Sequence, residues 1–247
     1  MKILFSPSET KISGGNEERF DENSFIFPNL YKNRLEILKQ YQNFLDTASS
    51  EQLSQLFGTK KQELINHYKS NIFEKNILKA VRRYDGVAYN YLQYNHLDSV
   101  AQKYIDKNVV IFSNLFGPIG AGDVGLPDYK LQQGEKIGTL ALESFYSIHF
   151  RDALDEYLKD EDILDLRAGF YEKFYQISKP YITMKFIKDK KVISHWAKAY
   201  RGIVLREAAK NGVKTKNDLL NMQIENLSVA EIKQIKFKTE IVYNILE

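Results

Sequence analysis

Four stretches of the chain carry residue types that could do chemistry. The first is Ser6-Pro7-Ser8-Glu9-Thr10-Lys11, directly after the apolar run Lys2–Phe5. It sets three hydroxyls, a carboxylate and an amine in one turn. A short strand that delivers such a turn to the end of a sheet would make one wall of an anion site. The second is "GTKK" at 58–61, between two helical patterns. This layout is that of a helix–hairpin–helix, in which backbone N–H groups and Lys60 and Lys61 would meet a phosphate. With only one glycine in the turn, an ordinary αα-hairpin remains the alternative. The third is "SHWAKAYRGIVLREAAKNG", where Lys198, Arg201 and Arg206 are expected at or near the start of a helix. Cations there favour an anion; the plain alternative is solvated charge beside packed Trp196 and Tyr200. The fourth is "GAGDVG" at 120–125, which contains GxGxxG. No helix pattern opens after it, so the dinucleotide fingerprint is rejected.

Other chemistries lack their residues. The chain of 247 residues has no cysteine, which excludes disulfides, thiolate nucleophiles and thiolate metal sites. Histidines 67, 96, 149 and 195 are scattered with no metal spacing, so neither a metal nor a cofactor is expected. Asp85 and Asp123 sit beside glycines in breaks between elements and are candidates for turn chemistry or for a site. No apolar run approaches the ~20 residues of a membrane span. The start is too short in apolar residues for a signal peptide. Cytoplasmic location, no membrane partner and a monomer are the expectations. Residues 173–247 hold 15 Lys/Arg against 7 Asp/Glu, whereas residues 1–172 hold 20 against 25. A basic last third raises the odds of a polyanion partner.

The elements that must position these residues follow from periodicity. Lys2–Phe5, 109–113 and 162–166 read as strands. Helices are expected from Asn29 to about Leu45, over 50–57, on both sides of Asp85-Gly86, over 97–108, over 140–158 and from Ala197 to a stop at Asn211-Gly212. "YITMKFI" and "VISHW" are expected as a hairpin, and 235–246 as one closing strand with Ile235, Phe237, Thr239, Ile241, Tyr243 and Ile245 on a face. Residues 12–28 are expected to be a long functional loop, and 114–134 a glycine-rich structured one. The fold class is mixed α/β, a single domain over 1–247.

Several blocks, in order, resemble the YaaA family of peroxide-stress proteins. They are Ser6-Pro7-x-x-Thr10, "YDGVAYNYL" (84–92), "SNLFGPI" with "PDYKLQQG" (113–134), "LDLRAGFYEKFY" (164–175) and "ISHWAKAYRGIVLR" (193–206). The resemblance implies one compact domain with a mixed sheet, a helix–hairpin–helix element and a positively charged cleft. It implies binding of duplex or distorted DNA and a role in limiting oxidative, iron-linked damage. Ser6, Pro7, Thr10, Gly117, Tyr129, Lys130, Lys198, Arg201 and Gly202 match the family pattern. Glu9 departs from it, standing where the family has lysine, with Lys11 as a substitute two places on. Gly120-Ala121 and Ala199 also depart from it, each with loss of positive charge. An enzyme acting on a small anionic substrate such as a nucleotide is the rival function. It would need the 6–11, 117–134 and 196–202 segments in one pocket.

Overall fold

The computed structural model describes residues 1–188, 191–192 and 194–246. Along the chain run β1 (Lys2–Phe5), β2 (Thr10–Lys11), α1 (Tyr31–Thr47), α2 (Ser50–Phe57), α3 (Gln62–Lys69), β3 (Ile77–Leu78), α4 (Ala80–Arg83), β4 (Tyr84–Asp85), α5 (Val87–Leu92) and α6 (Ser99–Asn108). Then come β5 (Val109–Ser113), β6 (Gly117–Gly120), β7 (Leu126–Pro127), α7 (Leu142–Leu158), β8 (Ile163–Asp165), β9 (Tyr181–Lys188), β10 (Lys191–Val192), α8 (Ser194–Lys210), α9 (Lys216–Asn221), β11 (Leu227–Ile235) and β12 (Lys238–Ile245).

Among the described residues eight strands form the main sheet, in the order β11-β12-β9-β8-β1-β5-β6, with β10 paired to β9. The run from β12 to β5 is parallel, and antiparallel hairpins flank it at β5–β6 and β11–β12. Every residue of β1, β5 and β8 is buried, as a sheet covered on both faces requires. The chain leaves β1 toward β5 on one side, and leaves β8 toward β9 on the other. Their carboxyl ends therefore bound a crevice where connections diverge, the usual ligand position in such sheets.

Local sequence explains the helices. α1 buries Arg34, Ile37, Leu38, Tyr41 and Leu45, one stripe at helical spacing. α7 buries Leu142, Tyr146, Phe150, Leu154 and Leu158 at every fourth position. Ser49 and Gln52 form a capping box at the start of α2, and Asp98 accepts from Val100 N and Ala101 N at the start of α6.

The expected mixed α/β fold is present, with local differences. The helix expected up to Tyr84 shrinks to α4, because Ile77–Leu78 and Tyr84–Asp85 are drawn into two small pairings with β7 and β2. Ser194–Trp196 belong to α8 and not to a strand; the β9–β10 hairpin turn, 189–190, lies outside the described residues. The single closing strand becomes the hairpin β11–β12, broken where Lys236 adopts a left-handed φ of 53°. The long segment 12–28 is tied down by two fully buried arginines. Arg34 donates to the carbonyls of Ile26 (2.9 Å), Phe27 (3.5 Å), Phe116 (3.2 Å) and Pro118 (2.5 Å). Arg83 donates to those of Ile12, Gly14, Asn76 and Leu126.

Candidate functional site

A cleft of about 400 Å³ opens at the carboxyl ends of β1 and β8. Its walls are Phe5–Thr10, Gly86–Tyr89, Gln133, Leu166, Ala168, Tyr171, Lys198 and Arg201. The three segments the sequence required in one place thus meet here, each through at least one residue.

The first wall is held from behind. Ser6 Oγ accepts from Ala168 N at 2.8 Å, and the Ser6 carbonyl accepts from the Tyr89 hydroxyl at 2.9 Å. Thr10 and Lys11 pair with Asp85 and Tyr84 as β2–β4. Gly86 has a φ of 135°, and a Cβ there would stand 2.5 Å from Ser8 Oγ, so only glycine lets this turn close on the serine. Lys11 is buried under the turn. Its ammonium donates to the carbonyls of Ser8 (3.3 Å) and Glu9 (3.4 Å) and lies 3.9 Å from the Tyr129 ring centre. Burial lowers its pKa to about 7, against the opposing pull of Asp128. Lys130 donates to the Glu9 carbonyl at 3.3 Å, and Glu9 Oε1 accepts from Gln133 N at 3.2 Å. Lys11 and Lys130 therefore brace the wall.

The facing wall is the N-terminal half of α8. Lys198 is exposed at the cleft. Arg201 is half-buried there; burial lowers its pKa, and Asp165 opposes that shift. Asp165 itself is bound to Arg167, which donates to both its oxygens at 2.8 Å. Among the described residues no hydrogen-bond acceptor engages the Arg201 guanidinium. A cation held partly out of water without an acceptor is poised to receive an anion.

Other expected site residues are placed elsewhere. Tyr129 is buried, its hydroxyl bonded to Ser113 Oγ at 2.7 Å, and it supports Lys11 from below. Arg206 lies in the last two turns of α8, where it donates to the Tyr91 carbonyl and Gln93 Oε1, both at 3.2 Å. Five residues on from Arg201, at roughly 3.6 residues per turn, Arg206 stands on a different side of the helix and bonds there instead of in the cleft. Gly202 admits the backbone of α5, since a Cβ would collide with the Ala88 carbonyl. Lys60 and Lys61 are exposed on the turn between α2 and α3, and Lys60 lines a separate depression. Three of the turn's four amides are already engaged: Gly58 N with Gln55 O, Thr59 N with Ser54 O, Lys61 N with Thr59 Oγ1. The phosphate-cradling hairpin is therefore not borne out as such. This turn still adjoins the cleft wall, because Gln132 N donates to Leu56 O and Gln133 follows it. Asp85 and Asp123 do turn chemistry: Asp85 accepts from Gly86 N, and Asp123 accepts from Ile26 N and Gly120 N. No trio of potential ligands able to hold a metal occurs among the described residues. No helix there is long and apolar enough to cross a membrane.

Sequence reasoning missed Tyr89, Gln133, Ala168 and Tyr171 as cleft residues, although all four lie inside the quoted blocks. It also missed Arg34 and Arg83. The one signal for Arg34 was its place in the apolar stripe of α1.

Residues 1–233 match the family model described as peroxide stress protein YaaA. An uncharacterized protein of Campylobacter jejuni is 50% identical over 247 residues, covering 100% of both chains. A UPF0246 protein of Corynebacterium glutamicum is 29% identical, covering 94% of this chain and 95% of that one. One of Fusobacterium nucleatum is 27% identical, covering 93% of each.

Proposed function

The chain belongs to the peroxide stress protein YaaA family, and we propose that its cleft binds a phosphate-bearing ligand. Arg201 receives the phosphate and Lys198 adds charge at the mouth. The carrying observation is the Arg201 guanidinium, which faces the cleft without an acceptor among the described residues. A cavity near 400 Å³ is of the size that holds a small molecule, and about half its lining is apolar or aromatic. A nucleotide, with an anionic end and a planar body, fits that division better than free phosphate does. Calorimetric titration with inorganic phosphate and with nucleoside mono- and diphosphates tests it. Saturable nucleotide binding that Arg201→Gln removes supports the reading; no heat with any of these probes overturns it.

A second reading is DNA, supported by the excess of eight positive charges in residues 173–247 and by exposed Lys60 and Lys61 beside the cleft wall. Phosphate contacts from Lys60, Lys61, Lys198 and Arg201 would release counterions. Affinity for duplex or four-way-junction DNA should then fall steeply with salt, with a log–log slope of roughly −0.9 per phosphate neutralised. Absence of binding at low salt would exclude it.

A further inference from the structure

The end of the sheet opposite β6 carries an edge that no described residue covers. β11 is the outermost strand and pairs on one side only. Residues 229–235 are exposed throughout, unlike the buried strands beside the cleft. Val229, Ile232 and Phe237 are each 52% exposed and Ile235 is 47% exposed. A long apolar edge with unpaired N–H and C=O groups is a template for another strand.

We propose that this edge joins two copies of the chain, β11 to β11, antiparallel about a two-fold axis through Ile232. The charge pattern selects this occupant and this register. When a strand pairs with its own copy about one residue, the residues on either side of that centre face each other. A centre at Ile232 sets Glu231 opposite the second copy's Lys233, twice by symmetry. A centre at 231 sets glutamate against glutamate, and a centre at 233 sets lysine against lysine; both are unfavourable. Glu231 and Lys233 already lie 3.0 Å apart within one chain, so the four charges alternate around the axis. On the other face Ile232 meets its copy beside Ile241, its in-register neighbour on β12. The ladder shifts register between Val229 and Glu231, and this bulge ends the regular edge. A two-fold contact is closed, so each copy uses the one free long edge among its described residues and growth stops at the pair. The monomer expected from the sequence gives way, on this reading, to a dimer.

The absence of native cysteine makes the test direct. Residues opposed across an antiparallel pair have Cβ atoms about 4.5–5.5 Å apart, close to disulfide reach. Ile232→Cys should therefore cross-link to itself under mild oxidation in dilute solution. Ile148→Cys, at a 74% exposed site on α7, should stay uncross-linked under the same conditions. In sedimentation over a concentration series, Lys233→Glu should weaken association at least tenfold. The double variant Glu231→Lys with Lys233→Glu should restore it, and a native-like circular dichroism spectrum shows that the single variant had folded. A native chain that stays monomeric at every concentration overturns the proposal. So do equal cross-linking at both cysteine positions and a dimer indifferent to Lys233→Glu.

Discussion

Arg34 and Arg201 are both guanidinium groups withdrawn from water, and their surroundings differ in one respect. Around Arg34 four carbonyls from the 26–27 and 116–118 segments receive its donors, and the Phe25 and Phe150 rings lie 5.4 and 4.8 Å from it. Around Arg201 the carboxylate that opposes its lowered pKa is Asp165, which Arg167 already engages, and the guanidinium faces the cleft. A closed set of acceptors makes a cation into a fastener. An open set leaves it available for a ligand. Lys11 sits between these cases, buried beneath the cleft wall with two carbonyl acceptors and a depressed pKa.

Substitution separates the two guanidinium groups. The largest effect is expected for Arg34→Met, which orphans several buried carbonyls. It should cost about 3–5 kcal/mol in urea unfolding, and a loss below about 1 kcal/mol would deny Arg34 its fastening role.

Next is the pH dependence of Lys11. Its folded pKa is lowered to about 7 by burial, while an unfolded lysine keeps its proton to about 10.4. Between those values the unfolded chain binds more protons than the folded one. The contribution of Lys11 to stability therefore rises with pH across that window, by up to about 1.4 kcal/mol per pH unit. Unfolding measured from pH 7 to 9.5 should show this rise in the native chain and a flatter profile in Lys11→Met. Identical profiles would mean that Lys11 stays charged in the fold.

Arg201→Gln sharpens the contrast from the other side. It should leave stability within about 1 kcal/mol of native while weakening nucleotide binding tenfold or more, since a hydrogen bond to a charged group contributes about 1.5–3 kcal/mol. Large destabilisation would make Arg201 a second fastener. The smallest effect is expected at Glu9. A Lys at this position would lose the bond to Gln133 N and repel Lys130, so Glu9→Gln is the cleaner probe. Removing the charge and keeping the acceptor should tighten binding two- to threefold at low salt, less in high salt. Unchanged affinity would place the carboxylate out of range of the ligand.

Much of the frame was legible because its causes are local. β1 and β5 stand where apolar β-branched runs stood in the sequence, and α7 where leucines and aromatics recur every fourth residue. The walls of the cleft were legible as segments, through the blocks that resemble the family. The roles within them were not. Tyr129 and Lys130 share one block, yet one is core and the other braces Glu9. Arg206 and Arg201 share one helix, yet only Arg201 reaches the cleft. The β11–β12 turn was hidden because alternation continued through Phe237 and masked the left-handed Lys236.

The long strands and helices, the lack of thiol chemistry, the basic last third and the segments from which a site could be built all follow from the order of amino acids. Only the tertiary structure decided which cations are fasteners and which is open. The reason is that decisive acceptors are backbone carbonyls far away in the chain, 82 and 84 residues from Arg34 in two of its four bonds. A residue's type states what it can donate. Whether anything stands there to accept depends on how distant segments fold around it.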